Sequence, residues 1–332
     1  MIPHSKPFLG EEEIKAVTRV LRSGHLAQGL ETAAFEAECA ALVGRRYGVA
    51  VSSGTSALQL ALSVFGIAAD ESVAIPSYAC ASLAQAVCGH RATPVLCEIG
   101  EDYNIAPQAV PAGVRCAIVP HLFGAHAVLP EVEMLVEDIA QSIGGPTGTR
   151  GLVSVASFYA TKLCTTGEGG MLLTDDEGLA ESARDRRDYD NRDDFVERFA
   201  CKMTDFQAAM GRVQLRRLPG FIARRREIAG AYATAFSGLP LGLPTGKDHV
   251  YFRYVIATPM RDGLEQHLRA CGVEAKRPVY RPAHHYLGGA FVRAEQAHEQ
   301  LISLPIYPGL LPAELQTVIE SVRAFYDGAG GA

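Results

Sequence analysis

Apolar residues recur along this chain in two rhythms. Residues 11–21 (EEEIKAVTRVL) set them at helical spacing, with acids in the first turn where the helix dipole favours them. Residues 30–42 repeat that pattern. Short apolar runs follow at 47–53, 72–75, 93–97, 115–120, 134–137, 153–158 and 170–174, bounded by Gly, Pro and Asp. Runs of that length and composition predict strands buried on both faces of a parallel sheet. A helix over 57–65 follows the first of them. From Thr204 the helical rhythm returns, predicting helices over 206–218 and 221–236 with a break at Pro219-Gly220. A Pro/Gly-rich stretch, 238–246, marks a boundary. Beyond it come a strand over 250–257 and helices over 263–271 and 314–326, and the Gly-rich end, 328–332, should fray. The expectation is an α/β protein with a large domain over 1–237 and a smaller α+β domain over 238–332.

Composition narrows the class. Apolar residues make up 48% and charged residues 20% of the 332, as in an ordinary globular protein. A net charge of −6 argues against a nucleic-acid surface. The short basic run Arg224, Arg225, Arg226 reads as the wet face of a helix. No apolar run reaches the roughly 18 residues that would span a bilayer. The N-terminus has no signal-peptide pattern, which points to the cytoplasm. The eight cysteines form no C-x-x-C pair, so neither a zinc nor a redox motif is visible and no metal is expected. Reduced, buried thiols are the simplest reading. No G-x-G-x-x-G follows an early strand, which argues against a dinucleotide-dependent dehydrogenase.

Three segments carry candidate chemistry. Ser53-Gly54-Thr55-Ser56 lies between a strand and a helix, where backbone N–H groups, the helix dipole and two hydroxyls suit a phosphate; a plain helix cap has the same residues. Asp138 ends a buried strand, where a carboxylate calls for a positive partner such as a protonated pyridine nitrogen, or caps the next helix. Lys162 stands after a strand, between Ser157-Phe158-Tyr159 and the turn Gly167-Glu168-Gly169-Gly170. Desolvation there favours the neutral, nucleophilic amine. A phosphate cup, a strand-end acid and a lysine, in that chain order, are complementary roles in a pyridoxal-phosphate (PLP) site.

With those segments the chain resembles the DegT/DnrJ/EryC1/StrS family of sugar aminotransferases. The resemblance is carried by GHLAQGLETAAFE from Gly24, SGTSALQLAL from Ser53, PSYAC from Pro76, VPHLFGAH from Val119 and EDIAQSIG from Glu137. It continues through SFYATK and GEGGMLLT from Ser157 and Gly167, KMTDFQAAMGRVQLRRL from Lys202 and ISLPIYP from Ile302. It implies a fold-type-I PLP-transferase with a mostly parallel seven-stranded sheet, a smaller C-terminal domain, and a homodimer with active sites at the interface. It implies PLP held on Lys162 as a Schiff base, with Lys162 also the proton shuttle and Asp138 the pyridinium partner. Gln141 would hydrogen-bond the phenolic oxygen. Thr55, Ser56 and Ser157 would hold the phosphate, with Gly54 allowing the close turn. The implied reaction moves an amino group, from glutamate, to a keto sugar linked to a nucleotide, by ping-pong steps; a cyclitol or related keto substrate and a non-catalytic sensor or scaffold stand as alternatives. A lysine at 162 argues against the sugar dehydratases of the family, where histidine replaces it.

Two positions depart from the family pattern. Cys80 stands where an aromatic residue usually stacks on the cofactor ring, with Tyr78 a possible substitute. No asparagine precedes Lys202-Met203 to reach a neighbouring subunit's phosphate, which leaves Asn191 as the candidate. Substrate-side candidates are His121 at a strand end (or a buried histidine bonded to backbone), Arg277, Arg281 and His284.

Overall fold

The computed structural model describes residues 1–246 and 248–329. Two helices open the chain, α1 (Glu11–Ser23) and α2 (Leu30–Val43), each ended by a glycine in the left-handed region, Gly24 and Gly44. Seven strands follow: β1 (Tyr47–Val51), β2 (Ser72–Pro76), β3 (Thr93–Cys97), β4 (Cys116–Pro120), β5 (Met134–Asp138), β6 (Val153–Ser157) and β7 (Gly170–Thr174). They make one sheet in the order β1-β7-β6-β5-β4-β2-β3, parallel except for β7, which runs antiparallel to both neighbours. The mostly parallel seven-stranded sheet implied by the sequence is thus present. Its central strands β4, β6 and β7 are buried at every position, which is why their sequences run apolar without alternating.

Helices α3 (Gly54–Val64), α4 (Ser82–Gly89) and α5 (Glu177–Arg186) share one apolar cluster with Val49, Ile75, Ile118 and Val155 of the sheet. On the opposite face, α2 and α6 (Asp205–Ala235) close a second cluster over Ala50, Ala156 and Leu173. Beyond α6 the small sheet pairs β8 (Tyr254–Ala257) with β9 (Leu301–Leu304), antiparallel. It packs with α7 (Arg261–Ala270) and α10 (Pro312–Ala329) around Ile256, Leu268 and Val322. The short α8 (His284–Leu287) and α9 (Val292–Gln300) lie between the two small strands in sequence. Of the Gly-rich end, residues 330–332 lie outside the described residues.

Three expectations need correcting. The helix break at Pro219-Gly220 does not occur: α6 is continuous over 31 residues with Pro219 inside. Proline removes one hydrogen bond there, a cost of about 3 kcal/mol. Leu218, Phe221 and Ile222 are buried around it, each contributing about 1.5–3 kcal/mol by leaving water. Tertiary packing therefore overrides the local signal. Arg225 is not on a wet face either. It is 3% exposed and donates through Nη1 to the carbonyls of Tyr251, Phe252 and Ile306, tying α6 to the segment before β8. The strand expected over 250–257 shortens to β8: Val250 packs into the second apolar cluster, and Phe252 and Arg253 line the site described next. Five of the eight cysteines are buried, and Cys80, Cys88 and Cys271 are exposed.

Candidate active site

Parallel strands direct their carboxyl ends to one edge of the sheet, where open α/β folds place their ligands. The segments singled out in the sequence follow those ends. After β1, Ser53 adopts an extended cap and its Oγ accepts the Ser56 N–H at 3.0 Å. Helix α3 begins at Gly54, three residues earlier than its apolar pattern suggests. The first-turn N–H groups at Gly54 and Thr55 are left for an outside acceptor. A Cβ on Gly54 would sit 2.9 Å from Cβ of Ser157, so glycine is what lets this helix end meet the end of β6. Gly170 plays the same part on the other side, where any side chain would overlap the carbonyl of Ser53.

A cavity of about 260 Å³ opens at this edge. Gly54, Thr55, Cys80, Asp138, Gln141, Ser157 and Lys162 line it together. Ser56 does not: its Oγ lies 2.9 Å from Ser53 Oγ and 3.3 Å from Ser52 Oγ, inside the cap rather than on the wall. Asp138 closes β5, and its Oδ1 accepts the Ala140 N–H at 2.9 Å. Its other oxygen has no partner among the described residues. Burial raises the Asp138 carboxyl above its usual value, against the pull of Lys162 and the Ala140 N–H. Burial lowers the Lys162 ammonium, Asp138 opposing and Arg253 assisting. The two side chains make no ion pair within 4 Å. Each is therefore held in the state the other does not satisfy: an acid short of a cation, and an amine inclined to be neutral. Gln141 accepts the Phe123 N–H through Oε1 at 2.8 Å, and its N–H₂ group has no acceptor among the described residues. The donor set fits PLP: a helix end and hydroxyls for a phosphate, a buried carboxylate for a ring N–H, and an amine for a carbonyl.

The cavity continues into an outer cleft of about 700 Å³, whose far wall is Phe252, Arg253 and residues 276–281. Arg277 and Arg281 reach this cleft, though both are engaged. Arg277 Nη1 is 2.8 Å from His298 Nε2, and Arg281 Nη2 donates to the His285 carbonyl at 2.9 Å. Arg253, between Phe252 and Tyr254, was not singled out in the sequence. One charge in the aromatic run Tyr251-Phe252-Arg253-Tyr254 was the available signal.

Other candidates lie elsewhere. His121 is fully buried. Its Nδ1 accepts the Ala127 N–H at 3.0 Å, and its Nε2 lies 3.1 Å from Glu137. Glu137 also takes the N–H groups of Gly148, Arg150 and Gly151, and is pulled down to about 2. The pair secures the turn before β6 and lies off both the cavity and the cleft. His284 is likewise off the cleft: it and His285 both meet Glu295 Oε2, at 2.9 and 2.6 Å. Tyr78 is buried with Ile99 and Phe123, not at the cavity, so it does not replace the ring missing at Cys80. Asn191 sits on an exposed turn, in the left-handed region.

Strand order, the direction of β7 and the acid-and-lysine cavity at the carboxyl edge define a fold-type-I PLP-transferase. The family model described as the DegT/DnrJ/EryC1/StrS aminotransferase family matches residues 7–323, and the chain belongs to that family. It is an aminotransferase, and its cofactor is pyridoxal phosphate. It is 34% identical to the spore coat polysaccharide biosynthesis protein SpsC of Bacillus subtilis, over 99% of this chain and 98% of that one. It is 34% identical to the dTDP-3-amino-3,4,6-trideoxy-alpha-D-glucose transaminase of Streptomyces venezuelae, over 95% and 92%. Among solved structures, the aminotransferase TlmJ from Streptoalloteichus hindustanus superposes with a TM-score of 0.92 at 30% identity, covering 99% of this chain and all of that one.

Proposed function

We propose that this enzyme transfers the amino group of an amino acid, glutamate, to the keto carbon of a nucleotide-linked sugar. The observation that carries this reading is the single cavity shared by the half-buried Lys162 and the buried Asp138 beside the N-terminus of α3, opening onto a cleft with a basic wall. A dTDP-sugar transaminase is among the proteins it resembles over nearly the full length of both chains, which supports a nucleotide sugar as acceptor.

When bound, PLP supplies an aldehyde carbon and an electron-withdrawing ring. Thr55, Ser157 and the first-turn N–H groups of α3 would hold its phosphate; Ser56, committed to the cap, would support them from behind. Asp138 would keep a proton on the ring nitrogen, which satisfies its open oxygen. The Gln141 N–H₂ group would donate to the ring hydroxyl oxygen. Lys162 Nζ, inclined to neutrality by burial, would take the aldehyde carbon in the resting enzyme. It would later carry a proton between the two carbons that exchange it. Cys80 would cover one ring face with little surface. Arg277 and Arg281 stand where the negative acceptor would enter. Among the described residues, one chain places no cation other than Lys162 on the inner cavity. That supports a homodimer in which a second copy contributes to the phosphate end.

The test is borohydride reduction of PLP-incubated protein, followed by peptide mapping and a half-reaction with glutamate. A phosphopyridoxyl mass on the Lys162 peptide, and conversion of the cofactor to its amine form, are expected. Label scattered over surface lysines, with no conversion, would overturn the reading.

A further inference from the structure

Four cationic side chains stand on the outer wall of the cleft, and three are taken. Lys276 Nζ lies 2.8 Å from Glu274, Arg277 meets His298 and, at 3.7 Å, Asp262, and Arg281 donates to the His285 carbonyl. The fourth, Arg253, has no carboxylate or carbonyl on its guanidinium among the described residues. Its one polar neighbour is His4, whose Nε2 and Nδ1 lie 3.2 and 3.5 Å from Nη1. Ser303 Oγ lies 2.8 Å from the same Nε2 and helps fix the imidazole. Burial, with help from Arg253, lowers His4 to about 3, so the ring stays neutral beside the guanidinium. Nη1 is thus tethered, while Nε and Nη2 have no acceptor among the described residues. That edge forms the two-pronged contact with a carboxylate.

The position selects the anion. Lys162 Nζ and Arg253 Cζ each lie 5.2 Å from the centre of the Phe252 ring, so they are at most twice that distance apart. An amino donor carries its α-carboxylate one bond from the reacting carbon. In a nucleotide sugar, the diphosphate is separated from a ring keto carbon by several bonds. We propose that Arg253 is the carboxylate anchor for the amino donor, gripping the α-carboxylate through Nε and Nη2 while the donor's amine reaches the cofactor beside Lys162. His4 is a positioning residue for that guanidinium. The proposal rests on the aminotransferase reading above and assigns a residue to its first half-reaction.

The experiment compares holoenzyme with Arg253→Met and Arg253→Lys in rapid mixing with L-glutamate, following loss of the aldehyde form of the cofactor. The expected result is a 30- to 100-fold weaker apparent affinity for glutamate in Arg253→Met and a smaller loss in Arg253→Lys, which keeps the charge without the fork. Two probes check the intact site. Hydroxylamine, an amine with no carboxylate, should attack the bound cofactor at an unchanged rate. Calorimetric binding of dTDP should also be unchanged. If hydroxylamine reactivity falls together with the glutamate reaction, Arg253 only holds the site together and the proposal fails. If dTDP binding weakens while glutamate is unaffected, the guanidinium reads the acceptor's phosphates, and the proposal fails differently. If the wild-type holoenzyme converts with no amino acid, the aminotransferase reading itself falls, an outcome separable because the variant is then no worse than its parent. His4→Gln should reproduce a fraction of the Arg253→Met loss for glutamate alone, with hydroxylamine unchanged.

Discussion

The inner cavity and the outer cleft are built on different principles. The inner-cavity residues proposed to carry the chemistry stand at or just after the carboxyl ends of strands in one seven-stranded sheet: Thr55 after β1, Cys80 after β2, Asp138 and Ser157 at the ends of β5 and β6, and Lys162 five residues on. The sheet fixes these positions before any side chain is placed. The outer wall is instead made of segments without regular structure, Phe252-Arg253 before β8 and residues 276–281 after α7. Buried links hold these in place: Arg225 to three carbonyls, His4 to Ser303, and the Phe123 N–H to Gln141. Chemistry common to a whole family can sit on the sheet. Discrimination between substrates is better placed on a wall whose residues can change without disturbing strand register.

The largest expected effect falls on the inner side. On the proposed assignment, Lys162→Ala would remove both the amine that takes the cofactor and the proton carrier, so turnover should drop by about four orders of magnitude. Steady-state assays with any productive pair of substrates would register it, and the borohydride label would vanish from that peptide. Asp138→Asn should cost roughly a hundredfold while leaving the label on Lys162, because the amide cannot hold a positive ring nitrogen. A loss below tenfold would mean that the strand-end acid caps the turn at Ala140 and does little more. In that event the contrast between a chemical floor and a variable wall would be poorly drawn.

How much of this was legible follows the same division. The seven strands could be read, and so could the stretches that bring Thr55, Asp138 and Lys162 to one cavity, because each is short and contiguous with a clear local pattern. Gly54 beside Thr55 marks a helix start, and MLVED a strand ending in acid. Arg253 and His4 could not be read, because their meaning depends on a meeting across 249 positions of sequence. Arg225 was misplaced for a related reason: in a triplet of arginines only the fold decides which one turns inward. His121 and His284 illustrate the converse, since a histidine at a strand end or in a Pro-rich loop looks available until its partners, Glu137 and Glu295, are brought to it. Pro219 misled because local propensity was weighed without the apolar contacts that hold α6 together.

A moderate effect separates the outer wall from the inner floor by pH. His4 and His249 flank Arg253 and are lowered to about 3 and about 4 from an ordinary 6.5, in both cases chiefly by burial. Between those values and 6.5 the unfolded chain binds protons that the folded chain refuses. Stability should therefore fall as pH drops below 6.5 and be flat, as far as these two groups are concerned, above it. Thermal unfolding from pH 8 to pH 4 should show this as a fall of roughly several degrees. A His4→Gln, His249→Asn double variant should flatten the slope. An unchanged slope would place the acid sensitivity in other groups and weaken the view that buried neutral histidines hold the wall.

The smallest effect is a gain. Cys80 is exposed on the inner cavity, and no aromatic side chain compensates from Tyr78, which is turned into the core. An aromatic ring stacked on another is worth about 0.5–1.5 kcal/mol beyond the area it buries. Cys80→Phe should therefore tighten cofactor retention by about twofold to tenfold, measured as PLP released on dilution or dialysis. The same position also borders the outer cleft. A tighter cofactor with unchanged glutamate affinity would mean that the two regions are separable at their shared edge. A tighter cofactor with weaker glutamate binding would mean that the small cysteine is retained to leave room for the donor, and that floor and wall meet in one side chain.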